Sequence, residues 1–101
     1  MQIQQSRANG RARIELKGRF DFNSHRLFRS ACDTAFEDRE VNEVEIDFAS
    51  VDYLDSSALG MLLLARERAA ASGRQVHLAN CRGTVGEVLH IANFGKLFAI
   101  R

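Results

Sequence analysis

"VDYLDSSALGMLLL", residues 51 to 64, runs from an apolar strand pattern into a helix that is apolar nearly all the way round, with an aspartate and two serines at the junction. Asp55 or Ser56 at that point can cap the helix, accepting hydrogen bonds from first-turn amides that have no partner inside it. The same arrangement can present a hydroxyl to another protein, at a place where a phosphate would be held by free amides and the helix dipole. The two uses are compatible, so the residues on either side must weigh between them.

Upstream, "NEVEIDF" (42–48) alternates Val44, Ile46 and Phe48 with polar neighbours, the pattern of a half-buried strand. Downstream, the helix predicted from Ser56 to about Ser72 stops at Gly73, a plausible cap. "RQVHLAN" (74–80) then reads as a strand with Val76 and Leu78 inward, followed by a short helix from about Thr84 to Ala92 and an edge strand in "LFAI". Nearer the N-terminus, "RARIELK" (11–17) alternates through Ala12, Ile14 and Leu16 and ends at Gly18. Asn23 or Ser24 caps an amphipathic helix reaching about Asp38, with Leu27, Phe28, Ala31, Ala35 and Phe36 at helical spacing. The order is β-α-β-α-β-α-β. A parallel sheet covered on both faces would show continuous apolar strands, whereas these leave one face polar. The expected fold is therefore α/β: a small mixed sheet with helices packed mainly on one face.

The 101 residues, 46% hydrophobic and 27% charged, suit one domain over 1–101 with a single core. A net charge of +1 lacks the electrostatic footprint of a nucleic-acid binder. No apolar run approaches a membrane span, and "MQIQQSRANG" has no signal-peptide character, so the chain reads as cytoplasmic, without membrane insertion. Cys32 and Cys81 fit neither a disulfide framework nor CxxC spacing and are expected to be reduced.

Catalytic constellations are mostly missing. His25, His77 and His90 show no HxxxH spacing, so each is expected on a surface or helix face and no metal site is indicated. Ser56 and Ser57 lack the flanking glycines of a hydrolase elbow. Gly83 and Gly86 open a helix after a strand, but no lysine follows in the register of a phosphate-cradling loop. Neither an enzyme nor a cofactor is expected.

What remains is a pair of signatures. "LKGRFDFNSHRLF" places Gly-x-Phe-Asp at a strand end before a capped helix, and "VDYLDSSALGMLLL" places Asp-Ser-Ser in the same way. Together with the spacing between them and the later "GRQVHLANCRGTVGEVLHIANFGKLFAI", they resemble STAS domains, specifically bacterial anti-sigma factor antagonists. The resemblance covers nearly the whole chain; one departure is Ala58, where many relatives carry glycine. It implies partner switching: Ser56 is phosphorylated by a serine kinase that is often the anti-sigma factor itself, and is restored by a PP2C-type phosphatase. The unphosphorylated protein binds the anti-sigma factor or a similar regulator, and phosphorylation releases it.

The helix adds a reading independent of any family. Leu59, Leu62 and Leu63 are expected to face the sheet, while Ser57, Met61, Leu64 and Arg68 form an opposite, wet stripe. An exposed Met and Leu ending at an arginine make a small docking patch. Phe20, Asp21 and Asp55 are expected near the same rim, with Asp21 orienting the serine, meeting a cationic partner group or only capping the following turn. Two other functions use such a domain: a STAS subunit of a lipid transport system, or a ligand-sensing module.

Overall fold

Asn9 and Gly10 have φ of 54° and 79°, the left-handed pair that a tight type I′ hairpin demands. They join β1 (Gln2–Ala8) to β2 (Arg11–Phe20) as an antiparallel pair in which Ile3 meets Leu16 and Gln5 meets Ile14. This first strand of the computed structural model, which covers residues 1–101, has no counterpart in the expected order. Its side chains are mostly solvent-facing, and only Ile3 and the neighbouring Met1 touch the core.

The remaining elements follow the expected alternation: α1 (His25–Glu37), β3 (Glu43–Leu54), α2 (Ser56–Ala71), β4 (Gln75–Ala79), α3 (Gly83–Ile91) and β5 (Ala99–Ile100). The sheet runs β1-β2-β3-β4-β5, antiparallel at its first pairing and parallel at the other three, hence mixed. Both central strands run longer than their apolar alternation. Gly18, expected to end β2, instead takes φ +101° beside a register shift, and the strand continues to Phe20. The bulges let β3 extend to Leu54 and bring the ends of both strands to one rim.

One core holds the layers together. Ala12, Ile14, Leu16, Val44, Ile46, Phe48 and Leu78 point from the sheet towards the apolar faces of the helices, and Val85 and Leu89 of α3 join the same cluster. Phe20 is fully buried, its ring 4.9 Å from that of Phe28 and 6.2 Å from that of Phe48, so that it locks β2, α1 and β3 together. It cannot touch a partner from there; the expectation that Phe20 lies on the docking rim is wrong, and the exposed ring is Phe22, 74% accessible.

The faces of α2 also differ from expectation. Its buried stripe is Ala58, Met61, Leu62, Ala65 and Ala69, whose small alanines let the helix axis approach the sheet. Met61, expected in solvent, is only 6% exposed. Leu63, expected against the sheet, is exposed, as is Leu64. The apolar side chains go nearly all the way round α2, so helical periodicity alone could not choose which of them face inward.

Candidate functional site

The rim is built where β2 and β3 end and α2 begins. The amide of Asp55 donates to the Phe20 carbonyl at 3.4 Å, fixing the start of α2 against the end of β2. Asp55 takes extended backbone angles, and its Oδ1 accepts from the Ala58 amide at 3.1 Å, so Asp55 is the cap. This settles the first question of the junction: the capping work falls to the aspartate, and Ser56, the first helical residue, carries its hydroxyl on the exposed surface. Ser57 is half-buried one residue later. As first-turn residues, both place their amides at the positive end of the helix dipole.

Beyond Ser56, the outward side of α2 presents Gly60, Leu63 and Leu64, with no charged residue between Asp55 and Arg66. Leu64 is 49% exposed and borders a shallow groove between α1 and α2 that His25, Phe28, Arg29, Met61 and Arg68 also line. The Arg68 guanidinium is not the free rim cation expected of it. It pairs with Asp33, donates to the Arg29 carbonyl at 3.4 Å and sits 5.7 Å from the centre of the Phe36 ring, so it ties α2 to α1.

Asp21 is likewise occupied within the fold. Its carboxylate accepts from the Asn23 amide at 3.0 Å while Ser24 Oγ accepts from the Asp21 amide at 3.2 Å, a capping box that starts a 3-10 turn at Phe22–Ser24 before α1. Ser24, one of the two expected caps, does hold the N-cap position of α1 but makes no side-chain cap bond there; the side-chain capping is done by Asp21, one 3-10 turn earlier. Arg19 lies 3.7 Å from the Asp21 carboxylate and stacks over the Tyr53 ring at 3.9 Å. Sequence reasoning missed Phe22, Tyr53 and Arg19 at this rim; the two-residue period of the strand ends was the signal that placed Arg19 and Tyr53 outward.

On the polar face of the sheet a second constellation appears. Asp47, nearly buried, is held by Arg13, by Asn80 Nδ2 at 3.0 Å and by the Ala49 amide at 2.9 Å. Burial works to raise its carboxyl, but these hydrogen bonds outweigh that and hold it below the usual carboxylate range. His77, expected on a surface, is 3% exposed beside Glu45. No group of His, Cys, Asp and Glu is arranged to hold a metal ion. Cys32 and Cys81 are free thiols; burial pushes them up to about 12 and about 11, which keeps them protonated and poor nucleophiles at neutral pH. No helix is long and apolar enough to cross a membrane.

The family model described as "Mlab, STAS domain" matches residues 3–99. A STAS-domain containing protein of Pseudomonas aeruginosa (strain UCBPP-PA14) is 46% identical over 88 residues, covering 86% of this chain and 84% of its own. Among solved structures, a putative anti-sigma factor antagonist from Thermotoga maritima superposes with a TM-score of 0.86 at 17% identity, covering 97% of this chain and 84% of its own. The Bacillus cell fate determinant SpoIIAA in its phosphorylated form gives 0.74 at 21% identity, covering 99% and 91%. At those identities the two structures speak for the fold alone. The family match and the Pseudomonas relative carry the further step, and on them the chain belongs to the STAS domain family.

Proposed function

We propose that this protein is a non-enzymatic anti-sigma factor antagonist that works by partner switching, with Ser56 as its phosphoacceptor. The observation that supports this most is the division of labour at the start of α2: Asp55 makes the cap, and the Ser56 hydroxyl is left exposed beside the uncharged surface of Gly60, Leu63 and Leu64. An unmodified Ser56 lets a regulator, an anti-sigma factor or a serine kinase of that type, pack on this surface. A phosphate adds about two negative charges next to it, and burying them without a basic partner costs several kcal/mol. The fold tolerates the same phosphate because it stands at a solvent-facing helix start. A PP2C-type phosphatase resets the switch.

Within the rim, Leu64 keeps its role as an anchor, Leu63 replaces Met61, and Ser57 and Asp55 flank the acceptor. Arg68 and Asp21 act by holding the helices that present it. Isothermal titration against each anti-sigma factor with a kinase domain encoded in the same genome tests the reading. Wild type and Ser56→Ala should bind one of them, and Ser56→Asp should bind it more weakly. Binding to none, or binding indifferent to residue 56, would sink the proposal. The other role considered for a STAS domain is a subunit that steadies the ATPase of a lipid transport system. In that case the ATPase would be bound equally well by all three forms.

A further inference from the structure

The Nε2 atom of the buried His77 ring lies 3.1 Å from Glu45 Oε1 and 3.2 Å from Arg101 Nη1. One ring nitrogen cannot serve both neighbours at once. A carboxylate accepts only, so a bond to Glu45 needs a proton on Nε2; a guanidinium donates only, so a bond to Arg101 needs Nε2 bare. From this geometry we propose that His77 is a protonation-controlled latch on the last strand of the sheet.

A neutral ring carrying its proton on Nδ1 accepts from Arg101 and holds it down. A ring protonated on both nitrogens donates to Glu45 and repels the guanidinium, leaving Arg101 without its side-chain anchor. The other charges nearby are already paired. Arg13 of β2 is 3.4 Å from the second oxygen of Glu45 and also faces Glu15 at 3.6 Å, while Asp47 is engaged by Arg13 and Asn80. Arg13 therefore stays with the carboxylates in both states, and the group that loses its partner is Arg101.

The mobile part is short. β5 pairs with β4 only through His77 beside Ala99 and Leu78 beside Ile100, continued by the Arg101 amide on the Leu78 carbonyl at 2.7 Å and the Asn80 amide on the Arg101 carbonyl at 2.8 Å. Before it, the buried Phe98 and the Arg66 Nε bond to the Leu97 carbonyl at 2.8 Å anchor the chain. Protonation of His77 thus frees residues 99–101 and uncovers the outer edge of β4, without disturbing Ser56 at the far end of β3. Histidine is the side chain whose unperturbed charge change falls between about pH 5 and 8, so that is the interval over which the latch is to be tested.

Amide hydrogen exchange on the unmodified full chain tests this, with each rate corrected for the intrinsic effect of pH. Between about pH 8 and pH 5 the protection of the Arg101 and Asn80 amides should fall by about tenfold, while that of the Gln75 amide, bonded to the Asn42 carbonyl, should hold. His77→Gln, which cannot titrate, should remove the pH dependence. Arg101→Ala, at an exposed position, should leave the residue 101 and Asn80 amides weakly protected at every pH. Protection unchanged by pH in the wild type, or a fall that persists in either variant, would overturn the latch.

Discussion

Asp55 and Ser56 stand side by side and do different work, and the difference is measurable. Asp55→Ala removes the only side-chain cap of α2, which should cost about 1 kcal/mol, or roughly 4 to 8 °C in melting temperature for a domain of this size. Ser56→Ala should leave the melting temperature within about 2 °C, because the hydroxyl bonds nothing in the fold and lies at the surface. Calorimetry on the two variants separates cap from switch; equal losses would mean that Ser56 is structural. From the sequence alone, Asp55 and Ser56 were equal candidates for the cap. Only the extended backbone at Asp55, with its carboxylate turned back on the Ala58 amide, separates them.

At the scale of the element, α2 shows where sequence periodicity runs out. Helical position predicts which residues share a face, but a helix with apolar residues on every side gives no sign of which face is inward, and the two proposed stripes straddled the true one. The small residues were the missing signal: Ala58, Ala65 and Ala69 mark the close approach to the sheet, and Met61 lies on the flank nearest α1. Met61→Ala should therefore destabilise the domain by about 2 to 5 kcal/mol through a cavity. Leu63→Ser with Leu64→Ser should cost well under half of that, the side chains being 37% and 49% exposed. Chemical denaturation of the two variants decides it, and the reverse ranking would return Met61 to the surface and put the leucines inside.

For the whole molecule, alternation in three strands was enough to read a mixed sheet with one polar face, because residues such as Val44, Ile46 and Phe48 share a side only in an extended chain. The first strand was hidden by its polarity: an edge strand with one apolar contact in "QIQQSRA" carries almost no hydrophobic period, although the Asn9-Gly10 pair was a hairpin signal in plain view. The charged face of the sheet was legible as polar but not as a network, since most of its pairs join residues on different strands far apart in the chain, such as Arg13 with Asp47. That network has a consequence for acid stability. With its folded carboxyl held below the usual range, Asp47 contributes stability that is fully present at neutral pH and is lost as the pH falls below about 4. In Asp47→Asn, the loss of stability between about pH 4 and pH 2 should be shallower than in the wild type; parallel curves from urea melts at each pH would show that the carboxylate is not specially held. The partner switch itself is tested most directly by phosphopeptide mapping of the protein purified from its own cells across growth phases. Phosphate should be found at Ser56 and not at Ser57; phosphate at Ser57 alone, or on no serine or threonine under any condition, would contradict it.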